Sequence, residues 1–368
     1  FNVTGVLLLV LVVVAGFVSP SETEGIALNF AILVVWVGWW AGYTASVYLV
    51  GNTWRVLNPW RTVACSRYIP SLDYEYRGGI LPSVIGVLAL VWIEVVSPVS
   101  ENSFLLSTAV VVYTVVTLAG YVLFGDDWFE KADPVTRIFD NYGWFAPVER
   151  DSDSLKLRLP GARLRRPLVE SADEVAFVIA LLWSVTFDGL VGTPAWGTFV
   201  RAVVGVGVPV LLTYTFVLIA GFVVFFYAYR LASRISVALT DVRTSSEEFE
   251  TQFAPSLIPI AVGYHLAHFL GFFVALLPSL VVVVLNPFGT PSTAPRFVLP
   301  PWFTTLSLLF VVVGHLFAVW VAHSTSFNLI PGRLQPIRSQ YPYIVVMVFY
   351  TMVSLWIVSS PEVPPPYL

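Results

Sequence analysis

Four histidines are the residues of this sequence best suited to chemistry, because imidazole binds transition metals and exchanges protons near neutral pH. They are His265, His268, His315 and His323. On a helix, His265 and His268 would be about 4.5 Å apart along the axis and about 60° apart around it, so both can face one site. His315 and His323 would differ by about 12 Å in rise but only about 80° in rotation. The spacing therefore predicts a site of His265, His268 and His315. His323 would be a further ligand or a neighbour of that site.

Three imidazoles with an open coordination position are typical of a catalytic metal, and copper, zinc and iron all suit such ligands. The metal would activate water or dioxygen, or polarise a substrate oxygen. The same residues would also serve a proton or ion pathway, or simple hydrogen bonding between helices. Haem is disfavoured by the spacings of three and eight residues. Glu94 and Asp188 are the acidic candidates, as a base, an extra ligand or structural hydrogen-bonding groups.

The composition identifies the elements that must position these residues. Of the 368 residues, 57% are hydrophobic and 11% are charged, whereas a soluble domain has about 25% charged residues. A net charge of −4 with dispersed basic residues excludes a nucleic-acid-binding protein. The single cysteine, Cys65, excludes a disulfide framework and any cysteine-ligated zinc or iron–sulfur site. An all-α polytopic membrane protein is therefore predicted, in contact with the lipid bilayer.

A membrane-spanning helix needs roughly 20 apolar residues, and nine apolar stretches have about this length. They cover residues 3–18, 26–50, 80–98, 103–124, 174–190, 203–229, 254–284, 302–324 and 342–359. The first lacks a small-residue cleavage site after it, so we expect a retained anchor and not a signal peptide. Gly205 to Pro209 would make a kink or a close contact inside the sixth stretch. The whole chain, 1–368, is predicted to form one transmembrane domain.

The basic residues of the loops test this count independently. All but Arg201 and Arg296 of the 19 Lys and Arg residues follow the second, fourth, sixth or eighth stretch. Lys and Arg accumulate in cytoplasmic loops. The alternation predicts nine helices with the N-terminus inside and the C-terminus outside. The longest loop, at about 125–173, would then be cytoplasmic.

Three local patterns predict structure outside the spans. Asp133-Pro134 is typical of the start of a short surface helix, and Ser245 to Glu248 fits a capping box that opens another. Leucine alternates with Lys and Arg over 155–159 before Pro160-Gly161, which predicts a β-hairpin across the Pro-Gly turn. Its basic side would rest on anionic lipid headgroups or be solvated.

Rows of small residues at every fourth position run along the seventh and eighth stretches. They are Gly263, Ala267 and Gly271 on one, and Gly314, Ala318 and Ala322 on the other. Such rows let membrane helices approach closely. We expect the two helices to pack antiparallel and their histidines to converge along the seam, near the membrane midplane. Five tryptophans in the first part of the chain are interpreted as packing and interfacial residues: Trp36, Trp39, Trp40, Trp54 and Trp60.

Five segments of the chain are distinctive together: Ser184–Trp196, Phe253–Phe269, Gly314–Ser324, Ser339–Ile357 and Asn58-Pro59-Trp60-Arg61. They resemble segments of a poorly characterised family of polytopic membrane proteins from actinobacteria and haloarchaea. Members of that family are labelled by similarity to a membrane subunit of fenitrothion hydrolase, an organophosphate-cleaving system. The resemblance implies a membrane enzyme subunit, and it carries Asp188 and the four histidines as the matching polar positions.

Three functions are compatible with these observations. The first is a metal-dependent membrane enzyme, or a subunit of one, hydrolytic or oxidative, that takes an apolar small molecule from the lipid. The second is a proton or metal-ion transporter or channel that uses the same residues. The third is a structural subunit that supports other membrane subunits. Each would place the protein in the plasma membrane.

Overall fold

A computed structural model of the protein describes residues 3–18, 28–66, 69–151, 154–240, 244–289 and 293–367. Within these ranges each of the nine predicted stretches overlaps one principal apolar helix. They are α1 (Val3–Val18), α2 (Phe30–Leu49), α3 (Leu81–Val96), α4 (Ser103–Phe124), α5 (Ala172–Val191), α6 (Val210–Ala238), α7 (Ile258–Leu285), α8 (Trp302–Leu329) and α9 (Leu334–Ser359). Arg67 and Arg243, two of the predicted cytoplasmic residues, lie outside the described ranges.

Seven helices of the described chain are long and apolar enough to cross a membrane, which confirms the all-α polytopic fold. The other two, α1 and α3, have 16 residues each. At 1.5 Å per residue each would be about 24 Å long, somewhat less than the roughly 30 Å hydrocarbon core. The chain is therefore an integral membrane protein built as a helix bundle.

The remaining elements are short and join the long helices. Five are α-helices: Trp54–Leu57, Pro59–Ala64, Pro134–Gly143, Pro194–Gly205 and Ser246–Phe253. The segments Pro98–Ser100, Ala162–Arg165 and Ala254–Leu257 are 3₁₀-helical, and Trp128–Ala132 is π-helical. The middle of α2, Leu33–Tyr43, is also π-helical. Two strands, β1 (Val148–Asp151) and β2 (Ser154–Leu157), form an antiparallel pair.

Both predicted short helices are present and begin at the predicted caps, but Pro134–Gly143 has no exposed residue and is therefore not the surface helix that was predicted. Asp133 Oδ2 accepts a hydrogen bond from Thr136 N at 3.1 Å, and the helix Pro134–Gly143 follows it. Ser245 Oγ accepts a hydrogen bond from Glu248 N at 3.1 Å before Ser246–Phe253. In each case a side-chain oxygen satisfies an amide that the first helical turn leaves without a partner.

Two other predictions need correction. The hairpin exists, but β2 pairs with the upstream strand β1, in the register Val148 opposite Leu157, and does not turn at Pro160-Gly161. Gly161 has a φ of +73° and precedes a 3₁₀ turn instead. The sixth stretch is interrupted, not kinked: Pro194–Gly205 ends, Gly207 has a φ of +94°, and α6 begins after Pro209. A left-handed glycine followed by proline stops one helix and starts the next.

The centre of the bundle is α5. In the most apolar segment of α5, 83% of the residues are buried inside the protein. The corresponding share is 22% for α4 and 22% for α6. The helices α6, α7 and α3 pack around α5, and α7 also packs against α2 and α8. Groups carried by α5 are therefore enclosed by several helices, whereas α4 and α6 present most of their surface to lipid.

Candidate functional site

Each of the four histidine rings bonds to a different partner. His265 Nδ1 lies 3.0 Å from Tyr48 Oη, and His268 Nε2 lies 3.2 Å from Asp188 Oδ2. His315 Nδ1 lies 2.9 Å from Thr351 Oγ1, and His323 Nδ1 lies 3.1 Å from Gln340 Oε1. The two histidines of α7 thus face α2 and α5, while the two of α8 face α9.

The close approach of α7 and α8 is present, as the small-residue rows predict. A Cβ on Gly263 would lie 2.6 Å from Phe310 O, and one on Gly314 would lie 2.4 Å from Pro259 O. At that distance the seam has no room for an imidazole. His265 lies about 200° around the helix from Gly263, since each residue turns about 100°. Its ring therefore leaves the seam on the opposite side.

Among the residues that the structure describes, no three His, Cys, Asp or Glu side chains are arranged to hold one metal ion. His265 is fully buried and enclosed by aromatic rings, with centroids 5.5 Å from Trp40, 5.7 Å from Tyr142 and 4.7 Å from Phe269. Its Nε2 makes no hydrogen bond of normal geometry with any residue that the structure describes. The metal site therefore stays a prediction.

Glu94, Asp188 and His268 are brought together from three helices, α3, α5 and α7. Besides the contact between His268 and Asp188, the carboxyl of Glu94 interacts electrostatically with that of Asp188. The His268 and Asp188 side chains are 25% and 20% exposed, so they are neither sealed off nor free in solvent. We call these three residues, with Tyr264, the acid–histidine cluster.

Tyr264 is the member of the cluster to which no chemical role was assigned from sequence. Its ring stacks on that of His268, with centroids 6.0 Å apart and planes 13° apart. Its hydroxyl is buried, has no hydrogen-bond partner among the described residues, and lies where a Cβ on Gly189 would be 1.9 Å away. The sequence signal that could have identified Tyr264 is its spacing of four residues from His268, because residues four apart lie on the same face of a helix.

The C-terminal segment crosses the bundle near this cluster. Val363 N donates to Gly192 O at 2.8 Å, and Tyr214 Oη donates to Pro366 O at 3.1 Å. Glu362, which is exposed, interacts electrostatically with His268. Asp188 and Glu94 lie near the C-terminal ends of α5 and α3. On α3 and α5 the cluster therefore lies toward the predicted outer ends of the helices, whereas Tyr264 and His268 lie in the first half of α7.

A cavity of about 990 Å³ opens beside the cluster, between α1, α2, α3, α4 and α5. Its walls are aliphatic and aromatic, and the five tryptophans that were interpreted as packing residues all contribute to them. Of the described residues that line it, the charged ones are Glu94 and Asp188. Asp188 therefore faces the cavity while its carboxyl contacts His268.

Comparison with family models, with curated proteins and with solved structures found no match to this chain. The resemblance to the family labelled by fenitrothion hydrolase stays a prediction, and so do the roles that it implies.

Proposed function

We propose that this protein is a proton-linked transporter of the plasma membrane that takes an apolar or amphiphilic small molecule from the bilayer. The observation that carries the proposal is Asp188, which lines the apolar cavity and also contacts His268 at 3.2 Å beside Glu94. One carboxyl thus belongs both to a cavity and to the acid–histidine cluster.

The cluster is suited to exchanging protons because its groups are titratable and its surroundings are apolar. Two like charges at short range repel strongly in a medium of low dielectric constant. An arrangement of two carboxyls and an imidazole avoids that repulsion by taking up or releasing protons, which is the usual role of acid and histidine chains in membrane proteins. His268 also interacts with the exposed Glu362, which provides a connection to the predicted outer aqueous side.

The cavity sets the class of ligand. A volume of 990 Å³ is enough for a drug-sized molecule. Walls of tryptophan and aliphatic residues favour an apolar body, and two carboxyls without a basic residue among the described lining favour a cationic or hydrogen-bond-donating group. An amphiphilic cation satisfies both requirements.

The test is binding of a lipophilic cation, tetraphenylphosphonium, to the full chain in nanodiscs, where no gradient drives passive accumulation. We expect binding to tighten as the pH rises from about 5 to about 8, the range in which histidine titrates, and to release protons into a weakly buffered solution. Asp188→Asn and Glu94→Gln should weaken binding about tenfold, or about 1.4 kcal/mol, and suppress proton release.

The matched control is Glu75→Gln, which neutralises an exposed carboxyl paired with Arg77 at 2.5 Å. This variant should bind the cation and release protons like the wild type. Proton release that persists in Asp188→Asn and Glu94→Gln would contradict the assignment of the cluster. Binding that does not change with pH would contradict the link between ligand and proton.

The second candidate is the metal-dependent membrane enzyme predicted from the sequence. Its support is His265, which lies on the same helix as His268 and whose buried Nε2 has no hydrogen-bond partner of normal geometry among the described residues. Elemental analysis of detergent-extracted protein tests it. Stoichiometric copper, zinc or iron that is lost in His265→Ala and His268→Ala would favour this candidate, and its absence from the wild type would contradict it.

A further inference from the structure

At the predicted cytoplasmic end, a second cavity is lined mainly by arginines. It has a volume of about 510 Å³, and its walls are Arg158, Leu159, Ala162, Arg165, Arg166 and Asn328. Arg158 follows β2, Arg165 ends the 3₁₀ turn Ala162–Arg165 and Arg166 is the C-cap of that turn, whereas Asn328 lies at the C-terminal end of α8. The fold thus holds three guanidinium groups around one space, far from the acid–histidine cluster in the chain.

Positive charge exceeds negative charge around this cavity. Glu149 pairs with Arg158 at 3.0 Å and with Arg166 at 3.2 Å, and Arg163 is 4.0 Å from the same carboxylate. Arg165 makes no ion pair with the acidic side chains that the structure describes. It lies over the ring of Trp320, at 5.2 Å from the centroid. Among the described residues, Glu149 is the carboxylate within 4.0 Å of these guanidiniums, and Asp140 interacts electrostatically with Arg163. Two carboxylates near four guanidiniums leave capacity for an anion.

The hairpin beside the cavity presents leucines outward. Leu155, Leu157 and Leu159, at alternating positions, are 74%, 81% and 72% exposed. Three exposed leucines next to arginines are unfavourable in water, but they suit the boundary between headgroups and acyl chains. Phe327, on the last turns of α8, is exposed on the same end of that helix as Asn328.

We propose that Arg158, Arg165 and Arg166 bind the phosphodiester headgroup of an anionic phospholipid of the cytoplasmic leaflet, while the three leucines enter the interface. Guanidinium groups recognise phosphate oxygens through paired, charge-assisted hydrogen bonds. The cytoplasmic leaflet carries the anionic lipids, and the predicted topology places this end of the bundle there. Free phosphate has the same anionic chemistry but no acyl chains for the leucines to meet.

The experiment measures how many lipid molecules the full chain retains in native mass spectrometry, after addition of phosphatidylglycerol or phosphatidylcholine. The wild type should retain phosphatidylglycerol preferentially. The triple variant Arg158→Gln, Arg165→Gln and Arg166→Gln should lose that preference by about tenfold, because its charge-assisted bonds are absent. Arg77→Gln, which removes an exposed arginine of the same predicted side, should retain it.

Two further arms separate the sources of the anion and guard against misfolding. Leu155→Ser with Leu157→Ser should weaken retention of long-chain phosphatidylglycerol and leave a short-chain form unaffected. Displacement of the lipid by inorganic phosphate at equal concentration would overturn the lipid assignment. A triple variant that unfolds at the wild-type temperature and still prefers phosphatidylglycerol would overturn the arginine site.

Discussion

At the predicted outer end of the bundle, Glu94, Asp188 and His268 meet on three helices with no basic Lys or Arg pairing with them in the described part of the chain. At the predicted cytoplasmic end, arginines of the long loop surround Glu149 instead. Both regions gather ionisable groups next to lipid. They differ in whether those groups can lose their charge.

This difference separates two ways of keeping polar groups in a membrane protein. Carboxyl and imidazole groups neutralise one another by moving protons, so the outer end should respond to pH. Guanidinium groups remain charged at all accessible pH values, so the cytoplasmic end must rely on counter-ions, from the protein or from lipid. The predicted outer end is therefore suited to the exchange of protons. The predicted cytoplasmic end is suited to permanent pairing with anions of the protein or of the lipid.

The largest expected effect comes from breaking a fixed, buried ion pair at the predicted cytoplasmic end. Glu250 is 1% exposed at its side chain and is paired with Arg230 at 3.1 Å. Arg230→Met would leave the carboxylate buried without its partner, which should lower the free energy of unfolding by about 3–5 kcal/mol. Thermal and denaturant unfolding in detergent measures the loss.

The pair has both a control and a rescue. Lys131→Met removes an exposed partner of Asp127 and should change the free energy of unfolding by less than about 0.5 kcal/mol. Arg230→Met combined with Glu250→Leu should recover much of the stability, because neither charge is then left buried. If the single Arg230 variant is as stable as the Lys131 variant, the cytoplasmic end does not depend on fixed pairing.

A smaller loss of stability is expected from a substitution at the predicted outer end, where the substituted residue is restricted by close packing and not by a charge pair. Gly189→Ala places a Cβ 1.9 Å from Tyr264 Oη and 2.9 Å from Ile357 Cγ2. Overpacking of this kind costs about 1–3 kcal/mol and should displace Tyr264 from His268. Gly205→Ala is the matched control, because a Cβ there meets nothing within 4 Å.

Removing the Tyr264 hydroxyl should relieve that overlap. Tyr264→Phe alone should be neutral or slightly stabilising, since the buried hydroxyl has no hydrogen-bond partner among the described residues. In the Gly189→Ala background it should recover stability, so the two changes should be strongly non-additive in unfolding measurements. Simple additivity would show that Tyr264 is not the group that limits residue 189.

The sequence predicted the spans and the helix seam, but not the partners of the polar groups. The spans could be predicted because the hydropathy of a segment depends only on the residues that it contains. The contact of Gly263 with Gly314 could be predicted from the four-residue repeat of small residues on each helix. Which ring faces which helix depends on how α7 is rotated between α2, α5 and α8. Asp188 and His268 are 80 residues apart, and no local pattern encodes their contact.

The same limit applies to the hairpin and to the histidines. The alternation over 155–159 identified β2, but pairing with β1 depends on the upstream residues Val148–Asp151, which show no comparable leucine pattern. The clustering of histidines on two consecutive helices was a property of the sequence. Their predicted convergence depended in addition on how each helix is rotated about its axis, which the sequence does not determine. In the structure the four rings contact Tyr48, Asp188, Thr351 and Gln340 instead.

The smallest effect is expected at a buried acid of the predicted cytoplasmic end for which the structure describes no ion pair. Asp133 is fully buried, and burial raises the pKa of its carboxyl, although hydrogen bonds from Thr136 and Tyr113 oppose the shift. A folded-state pKa above the unfolded value of 3.8 means that the folded protein binds the proton more tightly. Its contribution to stability is therefore greatest at low pH and declines as the pH rises through the folded-state pKa.

Asp133→Asn should flatten this dependence while it keeps an oxygen that can cap the helix Pro134–Gly143. The measurement is the unfolding midpoint in detergent from about pH 4 to about pH 7, a range that begins near the ordinary carboxyl pKa. Glu75→Gln, at an exposed position, should leave the wild-type profile intact. An unchanged profile in Asp133→Asn would mean that the pH response arises elsewhere, and the outer acid–histidine cluster would then be its expected source.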